Sequence, residues 1–525
     1  MMSNPPCICS QSVTSGSGTI QGGDALEDLL NGGLSVVDDA GHAVPQLAEA
    51  VPTVANGLWK ILPDGRMETT WRLRPGVAWQ DGAPFTVDDL LFTVKLGRDR
   101  DLAIFNHTAI AMVEDISAGD GGTITVRWKQ PYIQADTMFT RRIAMPRPQH
   151  VLGPTYADNP EAVLTSPYWT EGYVGTGPFV LRQWVSGSYL IMAPNDHYAL
   201  GRPKLDEVEV RFIPDSTTLA ANLLAGEVEL TLGRNLSLTQ ATEIRDRWQN
   251  GVIKIALNNW FAAWPQFVNP DPPVILDVRF RRALFYALDR DQLAETLEFG
   301  MTPVAHTFLS PSEPAYKQIE SDIVRYDHDV RQAAQLLGQV GYAQGSDGGF
   351  RDGAGRTLGF EVRTDGGGGD DEQEKAALAV ADQWKRFGIT TEPLVISQAK
   401  RLDREYNSTF PAIRVWRLPN DPWSLDRYAS PAAPMPDNKF NGGNRSRYMN
   451  PAFDALIDRY MSTIAEDQRT VVLGQIVHHM TDQVTAMGLW YNTDPISIGN
   501  RLRNVTTRDT AGTTEAWNAH LWDIR

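Results

Sequence analysis

Apolar residues recur along this chain at two spacings, and the switches between them mark out the elements. In the segment DALEDLLNGGLSVV, Leu26, Leu29 and Leu30 stand at i, i+3 and i+4, the stripe of a helix starting near Asp24, and Gly-Gly ends it. The next stretch, VVDDAGHAVPQLAEAV, predicts a strand and a turn that run into a short helix behind Pro45. From Gly57 to Val126 the period drops to two. Asp64-Gly65 supplies a hairpin turn, after which Trp71 and Leu73 alternate with Arg72 and Arg74. Thr86 then N-caps the helix VDDLLFTVKLGRD, whose first-turn acids suit the helix dipole. GTITVRW is another strand, and helix and loop follow through Gly172.

Strands resume at Val174 with GPFVLRQWV, SYLIMAPN and LDEVEVRFI. The helix TTLAANLLAG, opened by Thr217, leads into a strand, EVELTL. Farther on, RFRRALFYALDRDQLAETL reads as one amphipathic helix. DHDVRQAAQLLGQVG ends at Gly341, and QEKAALAVADQWKRFG and NPAFDALIDRYMSTI are further helices. RTDGGGGDDEQ reads as a long mobile loop, and residues 1–23 as a flexible Ser/Gly-rich leader. No short-period repeat appears. Strands and helices in blocks indicate an α/β and α+β composite of about three domains, which also suits 525 residues.

Composition narrows the function classes. The 64 acidic and 48 basic side chains give a net charge of −16, which repels phosphate backbones and argues against nucleic-acid binding. Fifteen Trp is a high count, and aromatic rings are favoured lining for solute pockets. The only cysteines, Cys7 and Cys9, are too close for an ordinary disulfide and supply half a zinc site, so two incidental thiols are expected. No apolar run approaches the ~20 residues that span a bilayer. The N-terminus lacks the basic start and apolar stretch of a signal peptide, so an export signal is expected to have been removed or to lie upstream.

Enzyme chemistry has little support. His-Glu-x-x-His, Gly-x-x-x-x-Gly-Lys and Gly-x-Ser-x-Gly are all missing. His478 and His479 are adjacent in a helix and point about 100° apart, which does not suit joint metal ligation. Asp370-Asp371-Glu372 lacks the alternating ligands of a calcium loop. No cofactor or resident metal is implied, and a hydrolase is the least supported alternative.

Five blocks, in order, carry a family resemblance. They are LRPGVAWQDGAPFTVDDLLFTV; the stretch from Val174 with Gly175-Thr-Gly-Pro, Asn195, Tyr198, Pro203 to Asp206 and Gly226-Glu227; PPVILDVRFRRALFYALDRDQL; YDHDVRQAAQLLGQVGY; and YMNPAFDALID. Together they span Ala43 to Tyr491 and resemble the large extracytoplasmic solute-binding proteins of bacterial peptide and nickel ABC importers. The resemblance implies a two-lobed, hinge-linked, periplasmic-binding-protein-like α/β fold (type II, large class with an extra domain). Domain I would comprise 24–48, 174–269 and 493–525, domain II the β-rich insertion 49–173, and domain III the second lobe 270–492. Crossovers near Asn269 and Thr493 would form the hinge. The family's signal peptide and first strand, ahead of the helix near Leu26, are not apparent here.

By the same resemblance the chain is expected to be a monomer, periplasmic or extracellular, with a lipid anchor outside this chain as an option, that captures a small solute between its lobes. It hands the solute to the permease subunits of an ABC importer. An oligopeptide stands first, an oligosaccharide second, and a solute sensor or peptide-holding module is the non-transport alternative. Peptide binders of the family anchor the ligand's amino terminus with an acid on a domain III loop. Alignment sets Asn420 at that position with Asp421 beside it, and a one-residue shift would exchange them. Trp416 and Trp423 flank this loop and could either stack on a ligand or fill core. Trp260 stands just before the first crossover with Trp264, for which core is favoured. Arg414 matches an arginine near the family's pocket, with a salt bridge as the alternative role. Trp490 and Tyr491 are candidates on position alone.

Overall fold

The computed structural model describes residues 7–8, 22–102, 105, 107–233, 236–366, 371–397, 400, 403–507 and 513–525. The chain divides into two compact units: one runs to Ala256 and resumes at Asp494–Arg525, the other is Leu257–Thr493. Each boundary falls inside a strand, Gly251–Pro265 in the first case and Met487–Gly499 in the second. The first boundary thus lies upstream of Asn269.

In the first unit, helix Gly23–Leu30 buries Leu26, Leu29 and Leu30 against Phe179, Leu190 and Met192. The Asp64-Gly65 hairpin forms between Trp59–Ile61 and Met67–Arg72 and belongs to a four-stranded sheet with Thr123–Trp128 and Val113–Gly119. Thr86 precedes helix Val87–Arg98, and the Asp89 carboxylate accepts the Thr86 N–H at 2.9 Å, the Gln149 N–H at 2.9 Å and the Trp79 indole N–H at 3.2 Å. The Thr-x-x-Asp pattern therefore ties the helix start to two loops. A second sheet runs in the order Phe179–Val185, Tyr189–Pro194, Val208–Arg211. Gly175-Thr-Gly-Pro is a close approach: a Cβ on Gly177 would meet Asn31 N at 2.5 Å, while Thr176 Oγ1 donates to the Gly32 carbonyl at 2.8 Å.

The second unit is built on a five-stranded sheet in the order Thr390–Ile396, Gly359–Asp365, Ile413–Pro419, Gly251–Pro265, Met487–Gly499. Its first three strands are parallel, and Ile413–Pro419 pairs antiparallel with Gly251–Pro265. Helix Asp371–Phe387 sets Ala377, Val380 and Trp384 against Val362 and Val415 of that sheet. Burying side chains of this size contributes roughly 1.5–3 kcal/mol each, and this contiguous cluster is the unit's core.

Four expectations are corrected. Behind Pro45 there is no helix, because the backbone is already paired: Gln46 and Ala48 N–H donate to the Leu34 carbonyl, Arg74 N–H to that of Leu47. The long helix from Arg279 is two, Val278–Tyr286 and Arg290–Glu298. Asp289 breaks it by capping the Gln292 N–H at 2.9 Å, while the Gln383 side chain bonds both the N–H and the carbonyl of Asp289. EVELTL makes only an isolated bridge, Leu230 with Ile498. Cys7 is disulfide-bonded rather than a free thiol, with its partner outside the described residues. Most of the leader, Cys9 and residues 367–370 of the expected mobile loop also lie outside them, while the ends of that loop belong to strand Gly359–Asp365 and helix Asp371–Phe387.

Candidate functional site

Among the residues singled out from sequence on the 408–426 stretch and the two crossover strands, Asn420 has a buried acceptor left over, and Trp260 Nε1 and Arg414 Nε are buried donors without a hydrogen-bond partner. All of those described next belong to the second unit.

Strand Ile413–Pro419 presents Arg414 and Trp416 in alternation. Arg414 is fully buried; its Nη2–H donates to Asp365 Oδ1 at 2.5 Å and its Nη1–H to the Asn407 carbonyl at 2.7 Å. Burial draws the guanidinium down to about 10, with Asp365 opposing that shift. The residue is thus committed to a buried ion pair. Half-buried Trp416 lies under two cations, with Arg414 and Arg445 guanidinium carbons at 4.7 and 4.4 Å from its ring. Its carbonyl accepts the Trp264 indole N–H at 3.1 Å.

The strand runs out at Pro419, and the 3₁₀ turn Pro422–Tyr428 begins after Asp421. Between them, Asn420 is 1% exposed and its Nδ2–H donates to the Leu257 carbonyl at 2.9 Å. Because a carbonyl can only accept, the amide nitrogen must face it, which turns Oδ1 the other way. That oxygen is buried and has no hydrogen-bond partner. A buried acceptor left unmet costs roughly 1–3 kcal/mol, so Asn420 Oδ1 is primed for a donor. Asp421 differs: both carboxylate oxygens take the Ser424 hydroxyl, at 3.0 and 3.1 Å. Trp423 is half-buried on the same turn.

Trp260 and Trp264, on strand Gly251–Pro265, meet edge to face at 5.3 Å, and Trp264 stacks on Tyr428 at 5.9 Å. Both tryptophans are buried, as core favoured for Trp264 requires. Burial pushes the Tyr428 hydroxyl up to about 12. Trp490 and Tyr491 are fully buried. The Trp490 indole N–H donates to Glu298 Oε1 at 2.9 Å, and the Tyr491 hydroxyl donates to the Leu309 carbonyl at 2.6 Å.

Glu298, Asp365 and Asn407 escape sequence reading, since nothing in their local pattern separates them from surface acids and amides. Glu298 is 2% exposed at the end of helix Arg290–Glu298, where its Oε2 also accepts the Thr493 hydroxyl at 2.5 Å. Burial raises its carboxyl to about 7, against those hydrogen bonds and with the nearby Glu372 charge adding to the rise. The helix's own C-terminal dipole disfavours an anion there too.

The model for bacterial extracellular solute-binding proteins, family 5 (middle region), matches residues 49–435. The oligopeptide-binding protein AppA of Bacillus subtilis is 24% identical over 487 residues, covering 91% of this chain and 83% of that protein. A putative ABC transporter peptide-binding protein of Brucella ovis is 25% identical over 284 residues, 54% of this chain and 51% of its own length. Among solved structures, AppA in complex with a nonapeptide aligns with a TM-score of 0.75 at 21% identity, covering 100% of this chain and 98% of that one. NikA from Brucella suis, in complex with Fe(III)-EDTA, aligns at 0.79 and 17% identity, covering 100% and 99%. The two structural likenesses establish a shared fold.

Proposed function

The chain belongs to the bacterial extracellular solute-binding proteins of family 5, and from that premise we propose that it captures an oligopeptide and delivers it to the permease subunits of an ABC importer. The peptide is supported by AppA and the Brucella relative, whose names carry peptide binding and, for the latter, an ABC transporter. Its place is outside the cytoplasm, where it works as a monomer without turning over its ligand. Among the described residues no helix is long and apolar enough to cross a membrane.

Asn420 carries the reading of the site. Its unpartnered Oδ1 takes a peptide N–H, with Asp421, Trp423 and Trp260 as neighbouring contacts. A neutral acceptor needs no ammonium partner, so the ligand's free α-amine is not the main determinant. In this reading strands Gly251–Pro265 and Met487–Gly499 serve as the hinge, which is supported by the unit boundary falling within each. A solute that binds the closed form more tightly shifts the population by that difference in affinity, and the permease reads the result. Against an oligosaccharide, the Trp416 ring already carries two guanidinium groups, which leaves less of it for stacking on a sugar.

A thermal-shift screen of oligopeptides and oligosaccharides tests this, since a ligand that binds only the folded state raises Tm. Peptides are expected to stabilise the protein, and Asn420→Ala to weaken them roughly 3- to 10-fold, one neutral hydrogen bond's worth. Stabilisation by sugars alone would replace the peptide; turnover without any stabilising solute would remove the binding reading.

A further inference from the structure

Asparagine is followed by glycine four times in the chain, at Asn31-Gly32, Asn56-Gly57, Asn250-Gly251 and Asn441-Gly442. Such a pair carries a reaction of its own. The glycine nitrogen can attack the asparagine side-chain carbonyl carbon, because no Cβ on the glycine stands in the way. The reaction needs a free side chain, a free glycine N–H and a backbone between them that can turn. The fold meets those needs differently at each pair.

Asn31 is 1% exposed. Its Oδ1 accepts the Gly32 N–H at 3.0 Å and the Thr176 N–H at 3.2 Å, while the Gly32 N–H also donates to Thr176 Oγ1 at 3.0 Å. Asn56 is exposed but engaged at both ends of its amide. Its Oδ1 accepts the Thr53 and Leu58 N–H groups at 2.9 and 3.1 Å, and its Nδ2–H donates to the Val51 carbonyl at 2.9 Å. The Gly57 N–H is also taken, by the Val54 carbonyl at 3.2 Å. At Asn250 the backbone is pinned: its carbonyl accepts the Asn500 N–H at 2.7 Å, and Gly251 opens strand Gly251–Pro265 with its Cα against the Trp248 ring.

Asn441 is the exception. It is exposed, and it and Gly442 lie in no helix or strand. Its own N–H is anchored on Asn438, at 3.1 Å to the carbonyl and 3.2 Å to Oδ1. Among the described residues, neither the Asn441 side chain nor the Gly442 N–H has a hydrogen-bond partner. The chain is thus held just before the reacting pair and released across it.

We propose that Asn441-Gly442 is a site of spontaneous modification, at which the folded protein converts an amide into a carboxylate. The Gly442 nitrogen bonds to Asn441 Cγ and gives up its proton, the Cγ–Nδ2 bond breaks and ammonia leaves. Water then opens the cyclic imide at one of its two carbonyls. The product is aspartate, or isoaspartate with the main chain routed through Cγ; an amide and water have become a carboxylate and ammonia. Isoaspartate lengthens the main chain by one methylene just ahead of a close fit, because Gly442 packs its Cα against the Ala432 carbonyl. Two residues on, the Asn444 N–H donates to that same carbonyl at 3.0 Å, and its Nδ2–H to the carbonyls of Tyr428 and Tyr448 at 3.0 and 2.8 Å. The added length pulls Asn444 out of register with these partners and loosens the 428–448 loop, whatever solute the protein captures.

The test incubates the full chain in heavy-oxygen water at mildly alkaline pH and maps its peptides by mass spectrometry. The peptide with Asn441 is expected to gain one heavy oxygen roughly tenfold faster than those with Asn31, Asn56 and Asn250, where at least one hydrogen bond must break first. In the urea-unfolded chain the four rates should converge. Faster uptake at another pair in the folded protein, or the same ranking in urea, would overturn the proposal. The isoaspartate form, separated chromatographically, is expected to lose hydrogen-exchange protection at the Asn444 amide, while Asn441→Asp, which adds the charge without the methylene, keeps it. Unchanged protection in the isoaspartate form, or equal loss in both, would overturn the loosening by chain length.

Discussion

Replacing Glu298 by Gln isolates one buried proton. The folded carboxyl titrates near 7, and the ordinary glutamate value is 4.5. The folded state therefore holds its proton at pH values where the unfolded chain has released it. Stability from this group is complete below pH 4.5 and is lost as pH rises through 7. The gap of 2.5 units, 7 minus 4.5, corresponds to about 3 kcal/mol at 1.36 kcal/mol per unit. Gln keeps an acceptor for the Trp490 indole and can donate to Thr493, so it imitates the protonated acid at every pH. Native protein and Glu298→Gln should unfold alike near pH 4.5, and the variant should become the more stable by up to about 3 kcal/mol at pH 8. His306, drawn down to about 4 by burial, has the opposite slope, its contribution falling away as pH drops from 6.5 towards 4. The difference between the two proteins is therefore the readout, measured by urea unfolding from pH 4.5 to 8.5. With two compact units, the transition to follow is that of Leu257–Thr493, assigned by hydrogen exchange at the Trp490 indole. Parallel pH profiles for the two proteins would refute the raised carboxyl.

Asp365→Asn leaves Arg414 without its buried counter-charge, and should destabilise the second unit by roughly 3–5 kcal/mol in denaturant unfolding. Gly177→Ala drives a methyl onto the Leu30–Asn31 backbone, at 2.5 Å from Asn31 N, and should cost the first unit roughly 1–3 kcal/mol. Asn420→Asp introduces the acid that the family resemblance sets at that position. Calorimetry should then show a preference for free-amine over N-acetylated peptides of roughly tenfold, the difference between a charged and a neutral hydrogen bond; no preference would place the amine elsewhere.

What could be read from sequence was the chemistry that closes within a few residues or answers to geometry. Asp64-Gly65 needs one residue at φ 85°, and only the turn itself decides that. The Gly175-Thr-Gly-Pro block is legible because two glycines are required where Leu30 and Asn31 come within contact. Arginines of the 277–290 block turn out to hold the frame rather than a ligand: Arg281 donates to the carbonyls of Ile275 and Gln483, Arg290 to those of Ala305, Gly488 and Tyr326. Burial draws both down to about 10. The misjudged elements share one cause, a partner distant in sequence. Nothing near Asp289 announces that Gln383 will satisfy its opened backbone, and nothing near Pro45 announces the pairing with Leu34 and Arg74.

The same limit governs the candidate site, and it explains why its residues were legible by position but not by role. Trp416, Trp490, Tyr491 and Arg414 are the side chains that composition and alignment bring forward, being large or charged. Each is large or charged enough to need a partner once buried, and the fold supplies one: a cation, a carboxylate or a carbonyl. A group left for a ligand is recognised by a buried acceptor that the fold has not answered; the unpartnered Arg414 Nε and Trp260 Nε1 are donors. Asn420 meets that condition because its two ends differ. Leu257 takes the nitrogen, and the oxygen is then buried with no hydrogen-bond partner. A substitution that preserves the nitrogen's bond while changing the oxygen separates the two roles. Asn420→Asp reverses this, placing an oxygen against the Leu257 carbonyl, so it should lower the stability of the empty protein by about 1–3 kcal/mol while an amine-bearing peptide recovers part of that loss. Equal stability of the empty Asn420→Asp and native proteins would mean that the amide is not oriented by Leu257.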